Sequence, residues 1–528
     1  MPEAAHPAKA RIARSTGVLA ATTGVSRVLG FIRDILMARL FGTSVQAEAF
    51  VVAFRLPNLM RDFAAEGAMT SAFVPVLSWY RAKGRPGEFW HLTQALLARV
   101  LVVLGILGLA GSLAAPLVVR LIAPGFLADP AKYELTVWLT RLLFPLIIFV
   151  GLWAFFMGLL NTLHHFALPA LGSGMMNVAM IVTCVWELHS TAPSVLVLAV
   201  GVLIGGLLQF LVQLPEAHRR GFRWRLRWNH PGSREIVRLF GPRVLGSAVY
   251  QASVFIDTAL ASLSAIVGDG AVAALYFANR LIQLPMALFG TASAQASLPS
   301  LAEQAAAKAY GAFGSTVCSV LRMLAFVILP SSVGLMVLAG PMVGVLFERG
   351  AFTHGSTVMT AQAVGFYAIG LFAYSASKVV SGAFYALKDT RTPVRLAVES
   401  LLLNVLLSLI LMWPLRLGGL ALAAALSNTQ NAYRLTRRLE QRLGVPLLAP
   451  LAEPALRMLV AAGLMGLGCW AIWRASAPLA HGWLRLAGTI TAGIGLYATA
   501  CRLIGVQELG TVMRWMMRLQ ATPPSVDS

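Results

Sequence analysis

The sequence is poor in charged residues, which make up only 12% of its 528 residues. A soluble domain of ordinary composition carries about 25%, so this chain lacks the polar surface that a water-soluble globule of its size requires. Hydrophobic residues make up 58% of the chain. Apolar stretches of about 20 residues, long enough to cross a bilayer, recur along nearly its whole length. The composition therefore predicts an integral membrane protein.

Cysteine and acidic residues are also scarce. The four cysteines, Cys184, Cys318, Cys469 and Cys501, lie in apolar stretches without paired spacing, which argues against a disulfide framework or a zinc site. The 21 acidic residues face 42 Lys and Arg, for a net charge of +21. Basic proteins often bind nucleic acid. Here the basic residues cluster in short loops between apolar stretches, so we expect no nucleic-acid partner.

The apolar stretches predict helices rather than barrel strands, because barrel strands are about ten residues of alternating polarity. Divided at Gly, Pro and charged residues, they predict an all-α polytopic membrane protein with about fourteen transmembrane helices. The predicted helices span 14–42, 46–80, 89–122, 133–162, 166–188, 194–215, 234–266, 271–304, 311–347, 356–387, 392–415, 418–442, 451–474 and 483–505.

The loops predict the orientation of these helices. Loops after even-numbered helices are basic, as in HRRGFRWRLRW (218–228) and LKDTRTPVR (387–395), whereas loops after odd-numbered helices, such as VGDGA (267–271), are not. Positive charge stays on the cytoplasmic side, so we expect both termini in the cytoplasm. Residues 1–13 are then a retained cytoplasmic leader, and 506–528 are a cytoplasmic tail.

An internal repeat predicts two lobes. SRVLGFIRDILMARL (26–40) resembles PRVLGSAVYQASVFIDTAL (242–260), and GLLNTLHHFALP (158–169) resembles GAFYALKDTRTP (382–393). The offset is six helices, an even number, so the repeats share orientation. We expect two pseudo-symmetric six-helix lobes around a central cavity, an architecture typical of transporters. The predicted parts are an N-lobe at 14–215, a basic linker at 216–233, a C-lobe at 234–442 and two extra helices at 451–505.

Several predicted helices carry charge inside their apolar stretches. The first two contain Arg27, Arg33, Asp34, Glu48 and Arg61, and the eighth adds Arg280. Charge within the bilayer is costly and usually faces a bundle interior or an aqueous cavity. Arginine exceeds the nearby carboxylates, and surplus guanidinium suits a bidentate anion such as phosphate. The alternative is that Arg33 with Asp34, and Arg61 with its neighbour, form structural ion pairs.

An enzyme is poorly supported by the sequence. Membrane hydrolases and transferases use clustered carboxylates for a metal or a His/Ser/Asp nucleophile set. The adjacent His164 and His165 lie in a predicted turn without acidic partners. We therefore expect a transporter, and the alternative from another class is a non-transporting scaffold.

Specific motifs then identify a family. They are SRVLGFIRD (26–34), EAFVVAFRLPNLMR (48–61), AEGAMTSAFVP (65–75), APGF (123–126), RGAFT (349–353) and FYALKDTRTP (384–393). With these motifs the chain, up to about residue 510, resembles the MurJ (MviN) family, the lipid II flippases of the multidrug/oligosaccharidyl-lipid/polysaccharide exporter superfamily. The resemblance implies a flippase that moves undecaprenyl-diphosphate disaccharide pentapeptide to the outer leaflet of the inner membrane by alternating access. The runner-up is a flippase for another undecaprenyl-diphosphate-linked saccharide.

The resemblance also implies site residues. Arg33, Arg61 and Arg280 match cavity arginines proposed to hold the diphosphate, and Arg27, Asp34 and Glu48 match others on the same wall. The last two helices would hold the polyprenyl tail. Family members often have Asp where this chain has Glu48, and acidic neighbours of the helix 8 arginine are replaced here by Asn279 and Gln283.

The same resemblance does not decide whether transport is coupled to an ion. Asp257 matches a sodium ligand of some members and Asn404 falls near another, but Ala424 replaces a hydroxyl. We expect no cofactor, and sodium binding at Asp257 remains one alternative. Lys378, in the tenth predicted helix, has no assigned role. The expected partners are lipid II and the cell-wall synthesis machinery, with the chain itself a monomer.

Overall fold

The computed structural model describes residues 6–65, 68–84, 86–225, 227–233, 236, 251–476, 482–512 and 514, without the side chains of 6–23, 60–65 and 68–72. The side chain of Arg61, the repeat segment at 242–250 and the tail at 515–528 therefore lie outside the described residues.

The described residues form helices joined by short turns, and they contain no β-strand. The helices are α1 (His6–Phe41), α2 (Val45–Ala65), α3 (Ala68–Ala82), α4 (Pro86–Leu113), α5 (Ala115–Ile122), α6 (Pro130–Leu143), α7 (Leu146–Thr162), α8 (Ala167–Glu187), α9 (Val195–Leu211), α10 (Leu214–Arg219), α11 (251–261), α12 (Ser264–Val267), α13 (Ala271–Pro285), α14 (Ala292–Ala306), α15 (Tyr310–Val337), α16 (Ala339–Phe347), α17 (His354–Ile369), α18 (Leu371–Ala386), α19 (Arg391–Leu415), α20 (Leu417–Leu443), α21 (Leu448–Ala475) and α22 (Gly482–Ile504). The sequence therefore folds as an all-helical protein, as predicted.

The longest predicted helices are interrupted in the structure. The predicted span 89–122 is divided into α4 and α5, and the span 271–304 is divided by a π-helical turn at Met286–Thr291. Pro285, at the end of α13, precedes this turn. Proline removes a backbone donor and bends a helix, which explains the break. α1, in contrast, is longer than predicted, since it begins at His6 rather than at residue 14.

The helices are suited to a membrane. Among the described residues, nine helices are long and apolar enough to cross a bilayer, or ten if the bent pair His354–Ile369 and Leu371–Ala386 counts as one span. Large apolar side chains such as Trp186 and Leu503 are exposed on their surfaces, as expected for groups that face lipid. The chain is a polytopic membrane protein, while the count of about fourteen spans stays a prediction.

Helix packing divides the chain into two compact units. Unit 1 comprises Met1–Ala265 with the short segments Asp269–Ala273 and Arg349–Thr353, and unit 2 comprises the remainder. In unit 1, α1 packs on α8, α2 on α6 and α7, and α8 on α9. By packing, 251–261 belongs to unit 1. The predicted six-helix lobes and their boundaries stay predictions.

Unit 2 joins the last two helices to its core. α21 packs along α15 and α22 packs along α21, around a cluster that includes Met458, Met465 and Tyr497. The Tyr497 hydroxyl donates to the carbonyl of Phe326 at 2.9 Å. Beyond α22, Glu508 pairs with Arg322 at 2.6 Å. The proposed tail groove along α21 and α22 stays a prediction.

Candidate functional site

The centre of α1 holds a buried ion pair. Arg33 is 3% exposed and Asp34 is 1% exposed. The Arg33 guanidinium donates to Asp34 Oδ1 from Nε at 3.0 Å and from Nη2 at 2.7 Å. Its Nη1 donates to Asn177 Oδ1 on α8 at 2.9 Å. A carboxylate and an amide thus compensate the buried guanidinium, and the structural ion pair left open by the sequence is present.

The Asn177 amide connects this pair back to the start of the first motif. Its Nδ2 donates to the carbonyl of Ser26 at 3.0 Å. Arg27, the next residue, is exposed on the helix surface. Six positions separate Arg27 from Arg33, so the two side chains leave α1 on different faces. The structure therefore joins Arg33 to Asp34 and leaves Arg27 on another face of the helix.

A second buried ion pair lies at the start of α2. Glu48 is 2% exposed and forms an ion pair with Lys132 of α6, which is 5% exposed. The other carboxylate oxygen of Glu48 accepts the backbone N–H of Val272 at 2.9 Å. Lys132 Nζ also lies 4.1 Å from the ring centre of Phe126. Both oxygens of Glu48 are engaged, so this residue ties α2 to α6 and to the start of α13 within unit 1.

Two glycines in unit 1, one of them in a motif and the other packed against a motif, support close backbone packing rather than chemistry. Gly125 of the APGF motif donates its N–H to Ser262 Oγ at 2.9 Å, and an added Cβ there would overlap the Ser262 carbonyl. Ala351 of the RGAFT motif donates to the carbonyl of Arg39 at 2.9 Å. Gly42 has φ +55° and lies against Ala351, where an added Cβ would overlap its carbonyl oxygen. Glycine is required where backbones approach this closely.

Asp257 lies on α11 in unit 1 and is half-buried. The next residue, Thr258, accepts a hydrogen bond at 2.7 Å from Arg55 of α2, which also donates to the carbonyl of Val254 at 3.4 Å. In unit 2, Asn404 on α19 is buried. Within the part of the chain that the structure describes, no group of three or more His, Cys, Asp or Glu side chains is arranged to hold a metal. Sodium binding stays a prediction.

Unit 2 carries two further cations in its helices. Arg280 of α13 is half-buried, and its Nη2 donates to Tyr276 Oη at 3.0 Å while its Nη1 donates to Gln283 Oε1 at 3.4 Å. Its guanidinium also lies 4.7 Å from the Tyr276 ring centre. Lys378 of α18 donates to Thr291 Oγ1 at 3.3 Å, at the last residue of the π-helical turn. Such turns are frequent at functional sites.

These features define a class of protein. A polytopic membrane protein whose helices carry buried and half-buried cations has the fold and the side chains expected of a membrane transporter. A solved structure described as a lipid II flippase MurJ in an inward closed conformation is similar, with a TM-score of 0.78, 24% identity, and coverage of 92% of this chain and 98% of that chain. An inward-facing multidrug resistance MATE family transporter of the MOP superfamily is similar with a TM-score of 0.67 and 13% identity, over 79% of this chain and 94% of that one. These two likenesses establish the fold.

The family follows from sequence. The family model described as lipid II flippase MurJ matches residues 37–485. A protein of Burkholderia cenocepacia named lipid II flippase MurJ is 34% identical over 80% of this chain and 82% of its own. One of Vibrio cholerae, named "Probable lipid II flippase MurJ", is 34% identical over 94% of this chain and 97% of its own. The chain belongs to the lipid II flippase MurJ family, which confirms the resemblance drawn from the motifs and the expectation of a transporter rather than an enzyme.

Lys132 is the residue that sequence reasoning missed. The predicted fourth helix began at residue 133, whereas α6 begins at Pro130 with Asp129 as its N-cap, whose side chain accepts the N–H of Lys132 at 3.2 Å. Asp followed by Pro is a helix-start signal. That signal places Lys132 in the first turn of α6, where its side chain pairs with Glu48.

Proposed function

We propose that this chain translocates lipid II, the undecaprenyl-diphosphate-linked disaccharide pentapeptide, from the inner to the outer leaflet of the bacterial inner membrane by alternating access. The observation that carries the proposal is the family match over residues 37–485, since relatives that cover most of the chain are named lipid II flippases. The fold supports the class of activity, and the relatives' names supply the substrate.

Cations within the helices support an anionic substrate. Charge placed within membrane helices is costly and is retained where it serves a substrate or ion path. A diphosphate offers oxygens on two phosphorus atoms, and a guanidinium can bind such oxygens bidentately. We propose that Arg33, Arg61 and Arg280 hold the diphosphate. The residues proposed on the same wall are Asp34 and Glu48, and Arg27 is proposed beside them on another face of α1.

The Arg33–Asp34 pair gives substrate binding a direct consequence in unit 1. In the structure Asp34 compensates the guanidinium through two hydrogen bonds. A diphosphate that reaches Arg33 competes with Asp34 for the same N–H donors. Binding therefore exchanges one anion for another, and the displaced carboxylate favours a conformation that gives it water or a proton. A ligand shifts a conformational equilibrium only by its differential affinity for the two states, and this exchange supplies such a difference.

The remaining expectations extend the same proposal. The polyprenyl tail lies along α21 and α22 in lipid, and both termini face the cytoplasm because the basic loops follow even-numbered predicted helices. The chain acts as a monomer and meets the cell-wall synthesis machinery through its substrate. Membrane potential resets the emptied, positively charged cavity, since one charge crossing the full field contributes about 2.3 kcal/mol per 100 mV.

Complementation tests the proposal. The chain is expressed in a bacterium whose own flippase is depleted, and lipid II exposed on the outer face is measured. Restored growth together with restored exposure is expected. A chain that inserts in the membrane but restores neither growth nor lipid II exposure would indicate the scaffold alternative, and exposure of a different undecaprenyl-linked saccharide would show that the substrate is wrong.

Variants of the buried pair then separate binding from folding. Arg33→Gln alone leaves Asp34 buried without its partner, so loss of transport in that variant is ambiguous. Arg33→Gln with Asp34→Asn removes both charges and restores the balance. We expect this double variant to insert and fold, yet to fail in lipid II exposure. Normal exposure in the folded double variant would show that Arg33 serves only as an internal ion pair.

A further inference from the structure

A basic cavity outside the residues assigned above lies in unit 2, between the start of α19 and the end of α20. Its volume is about 600 Å³, and it is lined by Thr392, Arg395, Leu396, Glu399, Tyr433, Arg434, Arg437, Arg438 and Gln441. The α19 residues recur at three- and four-residue spacing, as do those of α20, so each helix contributes one face. The cavity is therefore a product of two packed helices rather than of a loop.

The lining carries a surplus of positive charge. Four arginines face one carboxylate, which leaves three positive charges (four minus one). Glu399 pairs with Arg395 at 3.2 Å and with Arg434. Arg437 donates to Tyr433 Oη at 2.9 Å, and neither Arg437 nor Arg438 has a carboxylate partner among the described residues. Two guanidinium groups thus remain available to an anion.

The position of the cavity along α19 indicates where that anion comes from. The exposed face of α19 is apolar from Val398 through Leu402 and Leu409, as expected for helix surface in lipid. Arg395 and Arg416 flank this face, and 21 residues at 1.5 Å per residue span about 31 Å, close to the hydrocarbon thickness of a bilayer. The cavity therefore lies at head-group depth, at the end of α19 that the basic loops assign to the cytoplasm.

We propose that this cavity binds the phosphate head group of an anionic phospholipid from the surrounding leaflet. The arginines supply charge-assisted hydrogen bonds to the phosphodiester, Tyr433 supplies a hydroxyl group, and the acyl chains continue along the apolar face of α19. Basic cavities between membrane helices on the cytoplasmic side bind acidic lipids in this way. The site is separate from the proposed lipid II residues, so it stands or falls independently of the transport proposal.

Native mass spectrometry of the purified full chain tests the site. The protein is offered phosphatidylglycerol and phosphatidylcholine at equal concentration, and bound lipid is counted for the wild type and two double variants. Arg437→Gln/Arg438→Gln removes two charges from the lining without breaking an ion pair. Lys388→Gln/Arg391→Gln removes two neighbouring charges that do not line the cavity, as a matched control.

We expect the wild type to retain phosphatidylglycerol selectively. Each basic residue near an acidic head group contributes about fivefold in affinity, so the cavity variant should bind phosphatidylglycerol roughly 25-fold more weakly. The control should bind as the wild type does, and Arg437→Lys/Arg438→Lys should retain most of the affinity because it keeps the charge.

Three outcomes would overturn the proposal. Equal losses in the cavity variant and the control would indicate general surface charge instead of a site. Displacement of the lipid by millimolar inorganic phosphate would identify free phosphate as the ligand. Binding of an acidic peptide by the wild type, without preference for phosphatidylglycerol, would make the cavity a docking site for a protein.

Discussion

Arginine occupies two contrasting environments in this protein. Arg33, in the middle of α1, is 3% exposed and is held by Asp34 and Asn177. Arg437 and Arg438, near the end of α20, are exposed and have no carboxylate partner among the described residues. Water and lipid head groups can compensate the exposed pair, whereas a charge buried in a membrane helix needs a partner within the fold. We therefore expect the removal of an arginine side chain to have different consequences in the two regions.

The Glu48–Lys132 pair resembles the Arg33–Asp34 pair, because each buried charge has a partner of opposite sign within the fold. Both side chains are buried, and each compensates the other across two helices. Among the described residues of unit 1, Arg33 with Asp34 and Glu48 with Lys132 thus form two buried ion pairs. The predictions below test whether burial, rather than the type of residue, determines the effect of losing one partner.

The largest effect is expected at Arg33. Arg33→Gln should lower the free energy of unfolding by about 4 kcal/mol, because Asp34 stays buried after its guanidinium partner is lost. The measurement is equilibrium unfolding of the purified protein in mixed micelles, followed by tryptophan fluorescence. Arg33→Gln/Asp34→Asn is the control and should recover most of the loss, since neither residue then carries charge. Equal destabilisation of the single and double variants would show that the unpaired charge of Asp34 is not the cause of the loss.

A smaller effect is expected at Lys132. Lys132→Met should cost about 3 kcal/mol, because Glu48 loses its ion pair but keeps the hydrogen bond from the Val272 amide. The same unfolding assay measures it. Adding Glu48→Gln should restore stability, since a neutral amide can still accept from Val272. A double variant less stable than Lys132→Met would show that Glu48 is held by more than these two partners.

Periodicity and composition were sufficient to predict an all-helical membrane protein, but they did not identify the partners of the buried charges. Predicted span 166–188 corresponds to Ala167–Glu187, because the stretch between the polar turns at its two ends is apolar. Asn177 lies within that same span, 144 positions from Arg33. No local pattern connects the two, since the contact depends on how α1 packs against α8.

The end of α20 shows a second feature that the sequence alone does not give, namely which face of a helix packs against its neighbour. The predicted helix 418–442 already includes the basic stretch YRLTRRLEQR (433–442), and α20 in the structure extends to Leu443. Gly444 then adopts φ +66° and ends the helix, as glycine commonly does. The sequence thus predicted a helix with a basic end, but which of its faces packs toward α19 follows only from the structure, where Arg434, Arg437 and Arg438 line the cavity.

An intermediate effect is expected at Asp389, in the turn before α19. Its carboxylate accepts the backbone N–H of Thr392 at 3.0 Å and pairs with Arg442. Partial burial acts to raise the pKa of Asp389, but the hydrogen bonds from Thr392 and the charge of Arg442 outweigh it, so the pKa is lowered. Asp389→Ala should cost about 1 kcal/mol at neutral pH.

The sign of the pH dependence follows from the lowered pKa. A carboxylate that is more acidic in the folded state stabilises the protein above its unfolded pKa, near 4, and this contribution is lost as pH falls through the folded pKa. The difference in unfolding free energy between wild type and Asp389→Ala should therefore shrink below about pH 4. Asp389→Asn keeps an oxygen for the Thr392 amide and should lose less. A difference that grows on acidification would contradict the assigned interactions.

The smallest effect is expected at Arg434, whose partner Glu399 also contacts Arg395. Arg434 is 48% exposed at its side chain, and exposed ion pairs contribute about 0–1 kcal/mol. Arg434→Gln should therefore change the unfolding free energy by no more than about 0.5 kcal/mol, measured beside Arg33→Gln in one assay. The two substitutions are chemically identical and differ only in burial and in the partner left behind. A loss at Arg434 as large as that at Arg33 would mean that burial does not govern the cost of removing an arginine from this protein.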